Sequence, residues 1–160
     1  MKALTLWPEW AWAIVHLGKD VENRSWVIPP GLYCLHAGAR FCGEYTKDKY
    51  KGEALLSVWN TAHKQRLTVD QANTLSALES VLPDIPTSSI VGIIRVTGHT
   101  NYQHRGLWDS PMGWAAPGKI ANHIELVSVL HTPIPCKGAL GLWTVADNIT
   151  HQLETVGLPD

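Results

Sequence analysis

The sequence predicts an α+β fold: a closed or nearly closed, mixed β-barrel of about six strands with flanking helices and a helical insertion. Six short runs of apolar and β-branched residues, spread between residues 3 and 145, supply the strands. Helix-like segments with recognisable start and stop signals stand between them. At 160 residues the chain fits one domain, long enough to bury a single core without staples.

In chain order, residues 3–6 read as a short strand. Pro8 at a first helical position and Gly18 just past the end bracket a helix, the usual asymmetry of proline at the start and glycine at the stop. Residues 20–26 read as a strand stopped by Pro29-Pro30-Gly31, and 32–37 as the next. The charged stretch 43–65, with Leu55, Leu56, Val58 and Trp59, looks helical without a clean period. Thr68 and Gln71 form a capping box. It opens a helix whose Val69, Ala72, Leu75, Leu78 and Leu82 share a face, and Pro83 ends it. The insertion therefore covers about 43–83. Residues 89–98 are nearly all apolar, as a strand buried on both faces would be. A loop punctuated by Trp, Gly and Pro follows from 100 to 119. Strands are expected over 122–131 and 140–145, and a short helix over 146–157. Six strands with helices inserted between them fit a closed barrel.

Composition bounds the partners. The net charge is −1, so any nucleic-acid binding must come from a local patch and not from a global field. Cys34, Cys42 and Cys136 form no C-x-x-C pair, and their odd number argues against a disulfide framework. Pro8 and Glu9 interrupt any secretory apolar region, and no run approaches the ~20 apolar residues of a membrane span. A soluble, cytoplasmic protein is expected. Eight histidines show no metal-ligand spacing, and no cofactor is implied. Eight tryptophans against one phenylalanine serve as core or rim aromatics, some of them as stacking platforms.

The stretch Gly18-Lys19-Asp20-Val21-Glu22-Asn23-Arg24 is the most informative in the chain. On a strand, the two-residue repeat puts Glu22, Arg24 and Trp26 on one face. Lys19, just past the helix end, can swing over that face. Asn23 and Ser25 fall on the other side and serve structure. A bidentate Arg24–Glu22 pair would leave Lys19 as a surplus cation. The cluster then lacks an anion, and a phosphate is its complement. Arg40, Lys47, Lys49 and Lys51 form either a further basic patch or a solvated helix face.

The pattern G-K-x-x-E-x-R of Gly18, Lys19, Glu22 and Arg24, preceded by Leu4-Thr5-Leu6-Trp7-Pro8-Glu9-Trp10-Ala11, resembles the ASCH domain family. This is the branch of PUA-like β-barrels that includes the domain of the activating signal cointegrator. His36-Ala37-Gly38 resembles the family's "HAG" strand end, and the run from Pro133 to Trp143 its closing "PIP-x-x-G-x-L-G-L-W" strand. The resemblance covers about residues 2–146 and implies a cleft lined by Lys19, Glu22 and Arg24. Trp7, Trp26 and His36 are further ligand-contact candidates, with Trp10 and Trp143 as other possible stacking surfaces.

The resemblance implies binding of single-stranded or structured RNA, or of a nucleotide, with a phosphate as the recognised group. One bacterial branch similar to this fold instead hydrolyses the amide of an acetylated cytidine, using a Lys, a Thr and a Glu. Lys19 matches that Lys, and Glu22 stands where the Thr would be. Glu44, Glu53 and Asp109 are the candidates for the third group. A lysine working as a general base must lose its proton near neutrality, at a cost of roughly 3–5 kcal/mol, which an adjacent Glu22 opposes. If the chain is an enzyme, Lys19 and Glu22 are its catalytic residues. A protein-interaction module is the third reading.

Overall fold

The computed structural model describes residues 1–41, 56–103 and 113–155. Within them lie six strands, β1 (Lys2–Leu6), β2 (Val21–Arg24), β3 (Gly31–Ala37), β4 (Ser89–Asn101), β5 (Ile120–Pro135) and β6 (Leu142–Thr144). The helices are α1 (Pro8–Leu17), α2 (56–62), α3 (Val69–Ser76), α4 (Leu78–Val81) and α5 (Asp147–Thr155), with a 3₁₀ turn at Leu82–Asp84. All six expected strands are present. β2 is shorter than expected because the chain bends at Ser25, and β4 and β5 run longer.

The strands form one sheet in the order β2-β5-β4-β3-β1-β6. Only the β1–β3 pair is parallel. Register shifts interrupt the β3–β4 ladder at Leu35/His36 and the β4–β5 ladder at three places. Each such bulge bends its strand and raises the local twist, so the sheet curls. A Cβ on Gly92 would lie 2.6 Å from the Ser128 carbonyl oxygen, so only glycine lets the strands approach at that bulge. The curl stops at a half-barrel: among the described residues β2 and β6, the outer strands, share no ladder. The expected closed ring is therefore replaced by a side-chain bridge. Arg24 Nη2 of β2 donates to the Thr5 carbonyl of β1 at 2.7 Å.

α1 plugs the concave side. It is apolar nearly all round, as a helix packed on two fronts must be. Ala11 and Ile14 join Leu4, Leu6, Leu35, Ile94 and Ile124 inside the curl. Ala13 and Leu17 join Val58, Ala62, Leu75 and Leu78 of the inserted helices. On the convex side α5 lays Ile149 and Leu153 over Ala3, Cys34, Ile90 and Ile93. Alternation along β1 explains both layers, with Leu4 and Leu6 inward and Ala3 outward. Leu142 packs with the α1 layer, whereas Trp143 faces the α5 layer.

The Thr68–Gln71 capping box is complete: Thr68 Oγ1 accepts from Gln71 N, and Gln71 Oε1 accepts from Thr68 N. The helix it opens is broken after Ser76, so the expected apolar face is only half realised. Leu75 and Leu78 are buried, while Val69 is 77% exposed and Ala72 is exposed. Residues 42–55 lie outside the described residues, as do 104–112 of the 100–119 loop; the rest of the 43–65 segment is helical over 56–62.

Candidate functional site

α1 ends at Gly18, whose φ of +67° turns the chain sharply. Lys19 is thereby swung beside β2, where Glu22 and Arg24 sit two residues apart and share a face. Lys19 Nζ lies 3.1 Å from Glu22 Oε2, donates to the Val21 carbonyl and stands 5.7 Å from the centroid of the Trp10 ring. Arg24 Nε lies 2.9 Å from Glu22 Oε1, an ion pair in which the N–H axis misses the oxygen. The expected bidentate pair does not form, because Nη2 is taken by the Thr5 carbonyl.

These residues line a cleft of about 850 Å³ at one end of the half-barrel. The side chain of Lys19 is only 3% exposed and that of Glu22 11%, against 26% for Arg24. The three residues thus divide the work. Lys19 is spent on Glu22 and the backbone, Glu22 balances two cations, and Arg24 reaches solvent. Among the described residues, Arg24 Nη1 has no protein partner. Arg40 and Lys64 also line the cleft, so among the described residues four cations face one carboxylate there, in a chain whose net charge is −1. The field is local, as the composition requires.

Of the aromatic candidates, Trp7 lies on the cleft and is 50% exposed. Trp10 lines it beneath Lys19. Trp26 does not reach it; the bend at Ser25 takes its ring onto the core around Leu4 and Ile124. His36 is 1% exposed and lies behind the cleft wall. Its Nε2 lies 3.0 Å from the Cys136 carbonyl and must carry the hydrogen, so Nδ1 accepts from Thr5 Oγ1 at 3.2 Å. Trp143 Nε1 donates to the same hydroxyl at 2.9 Å and meets the imidazole edge-on. Burial pushes the His36 pKa down, opposed by the Cys136 hydrogen bond, and the ring is a neutral structural group.

Gly138 seals this network. A Cβ there would stand 2.4 Å from His36 Cε1 and 2.8 Å from Thr5 Oγ1. The "HAG" and "PIP" segments are thus pressed together, with Ser88 N donating to Gly38 O and Cys136 N to Ser88 O.

Two asparagines escaped the sequence reading as site-builders. Asn122, fully buried, accepts from Ile28 N and donates to the carbonyls of Glu22 and Trp26. It fixes β2 and the bend after it. A polar side chain inside the apolar run Ile120-Ala121-Asn122 was the available signal. Asn23, expected to serve structure, donates to Trp114 O and accepts from Ala116 N, stapling residues 114–116 beside the cleft. Lys64, just past α2, had no sequence signal. Lys47, Lys49 and Lys51 lie outside the described residues, as do Glu44, Glu53 and Asp109. No group of three metal-ligating side chains occurs among the described residues, and no helix there is long and apolar enough to cross a membrane.

No protein-family model and no curated protein matches the chain.

Proposed function

We propose that the cleft binds RNA or a nucleotide through its phosphate, and that the chain is a PUA-like domain of ASCH type working in the cytoplasm. The observation that carries this reading is Arg24. Its guanidinium is anchored by Glu22 and the Thr5 carbonyl and still offers Nη1 to a cleft that also receives Arg40 and Lys64. An arginine held in this way loses little side-chain entropy on gripping an oxyanion, so more of the gross interaction appears as affinity. Trp7 adds a stacking surface at the same cleft. Lys19 acts through Glu22 and does not touch the ligand.

The test is oligoribonucleotide binding over a range of salt. Wild type binds with an affinity that falls as salt rises, and Arg24→Ala lowers the slope of log K against log salt by about one unit. Lys19→Ala leaves that slope unchanged, because its ammonium is already neutralised. Absence of binding at low salt overturns the proposal.

Hydrolysis of an acetylated cytidine is the second reading, since Lys19 and Glu22, the two residues it would use, line the same cleft. Against it stand the burial of the amine and a carboxylate where the related hydroxyl would be. Turnover of acetylcytidine that vanishes in Lys19→Ala would replace the binding proposal with this one.

A further inference from the structure

We propose that the cleft selects single strands over duplexes by seating one unpaired base on an apolar lip made by Trp7 and Leu140. The inference rests on the nucleic-acid reading above and adds which form of nucleic acid fits. Leu140 is 99% exposed and Trp7 50%, and both line the cationic cleft. An isolated exposed leucine is ordinary; two large apolar groups at the mouth of one charged cleft are a surface built for contact. The antiparallel register brings them together. Leu4 pairs with Leu142, so the end of β1 leading into Trp7 and the approach to β6 through Leu140 lie at the same end of the ladder.

The lip is fixed in place. Gly138, lacking a Cβ, lies directly against the His36 ring, and Gly141 takes a φ of +67° just before β6. Leu140 is held out between these two points, so its exposure reflects a pinned turn. The half-buried Trp143–Thr5–His36 chain thereby acquires a purpose in the site: it supports the surface against which Gly138 packs.

A ligand for this surface needs an open apolar face and negative charge close beside it. Base faces in a duplex are covered by their neighbours, leaving only phosphates for the cleft. In a single strand every base has a free face, and stacking on it tolerates any sequence. The cleft volume, about 850 Å³, lies in the range of roughly 300–1,000 Å³ typical of sites for small ligands. It accommodates one nucleotide, with Arg24, Arg40 and Lys64 beside the flanking phosphates.

The experiment compares a short oligoribonucleotide, the same strand with abasic positions, and its duplex, each against wild type, Trp7→Ala, Leu140→Ser and Arg24→Ala. Leu140 is fully exposed, so its substitution does not threaten folding. The intact strand is expected to bind wild type at least about tenfold tighter than the abasic strand or the duplex. Trp7→Ala and Leu140→Ser should remove that preference while keeping the salt slope, and Arg24→Ala should weaken all three ligands and lower the slope. Duplex or abasic strand binding as tightly as the intact strand overturns the inference and leaves phosphate recognition standing, as does an unchanged preference in Leu140→Ser. No binding to any strand at low salt overturns both. Capture by anionic phospholipid vesicles in place of strands assigns the lip to a membrane surface and likewise overturns it.

Discussion

Single residues in this protein are constrained by what lies within 3 Å of them. Gly138 is the sharpest case, because an added Cβ would meet the His36 ring and the Thr5 hydroxyl, both already held by hydrogen bonds. Neither neighbour can give way without breaking one of these bonds. Gly138→Ala is expected to destabilise by about 1–3 kcal/mol, the usual range for overpacking. Gly98→Ala, with nothing within 4 Å of its Cβ, is the matched control and should shift the urea midpoint far less. Equal midpoints for the two variants would refute the account. Lys19 makes a different point. Removing one partner of a buried charge pair costs about 3–5 kcal/mol when the other is left alone. Lys19→Met should cost less, because Glu22 keeps Arg24. The double variant with Arg24→Ala should lose more than the sum of the single losses, as a double-mutant cycle in urea would show.

Among the elements, those with local signals were legible in the sequence and those set by distant partners were not. The Thr68–Gln71 box names its own helix start, and Pro8 and Gly18 bracket α1. Thr68→Ala should therefore cost about 1 kcal/mol in chemical denaturation at an unchanged m-value. The same substitution frees only the Gln71 backbone N–H; the Gln71 side-chain oxygen still accepts from the residue-68 backbone, so the amide that packs against Gly18 and the turn that positions Lys19 should stay in place. The charge trio was readable because strand period and helix end are both local rules. Trp26 was misplaced for the complementary reason. Its alternation was correct for a strand, but β2 stops at Arg24 and the Asn122 amide, about a hundred residues away in sequence, holds the bend. Lys64 reaches the cleft only through tertiary packing of α2, and no spacing rule reports that. Barrel closure failed similarly, since pairing of the outer strands depends on the summed curl of the ladders between them.

At the scale of the whole molecule, burial of titratable groups sets a pH window for stability. His36 is sealed between Thr5 and Cys136, and its pKa lies below the ordinary 6.5 because burial disfavours the imidazolium. Between its folded and unfolded pKa values the unfolded chain binds more protons, so stability falls as pH drops below about 6.5. Cys34 works from the other side. Its thiol is fully buried against Met1 and the α5 layer, and burial pushes its pKa from 9.0 to about 11. Above pH 9 the unfolded chain gives up this proton first, so stability declines between pH 9 and 11. Cys136, also raised by burial, adds to the same limb. For Cys34 the loss across the alkaline limb is on the order of 2–3 kcal/mol, the free energy of holding a thiol protonated over that interval. Urea midpoints measured from pH 5 to pH 11 should therefore form a plateau with falling sides. Cys34→Ala should flatten the alkaline side while lowering the plateau by its lost packing. His36→Gln should make the acid side shallower, because glutamine does not titrate there; His16, whose pKa burial also lowers, keeps the remainder. An acid limb of the same slope in His36→Gln would assign it to other groups and remove His36 from the account.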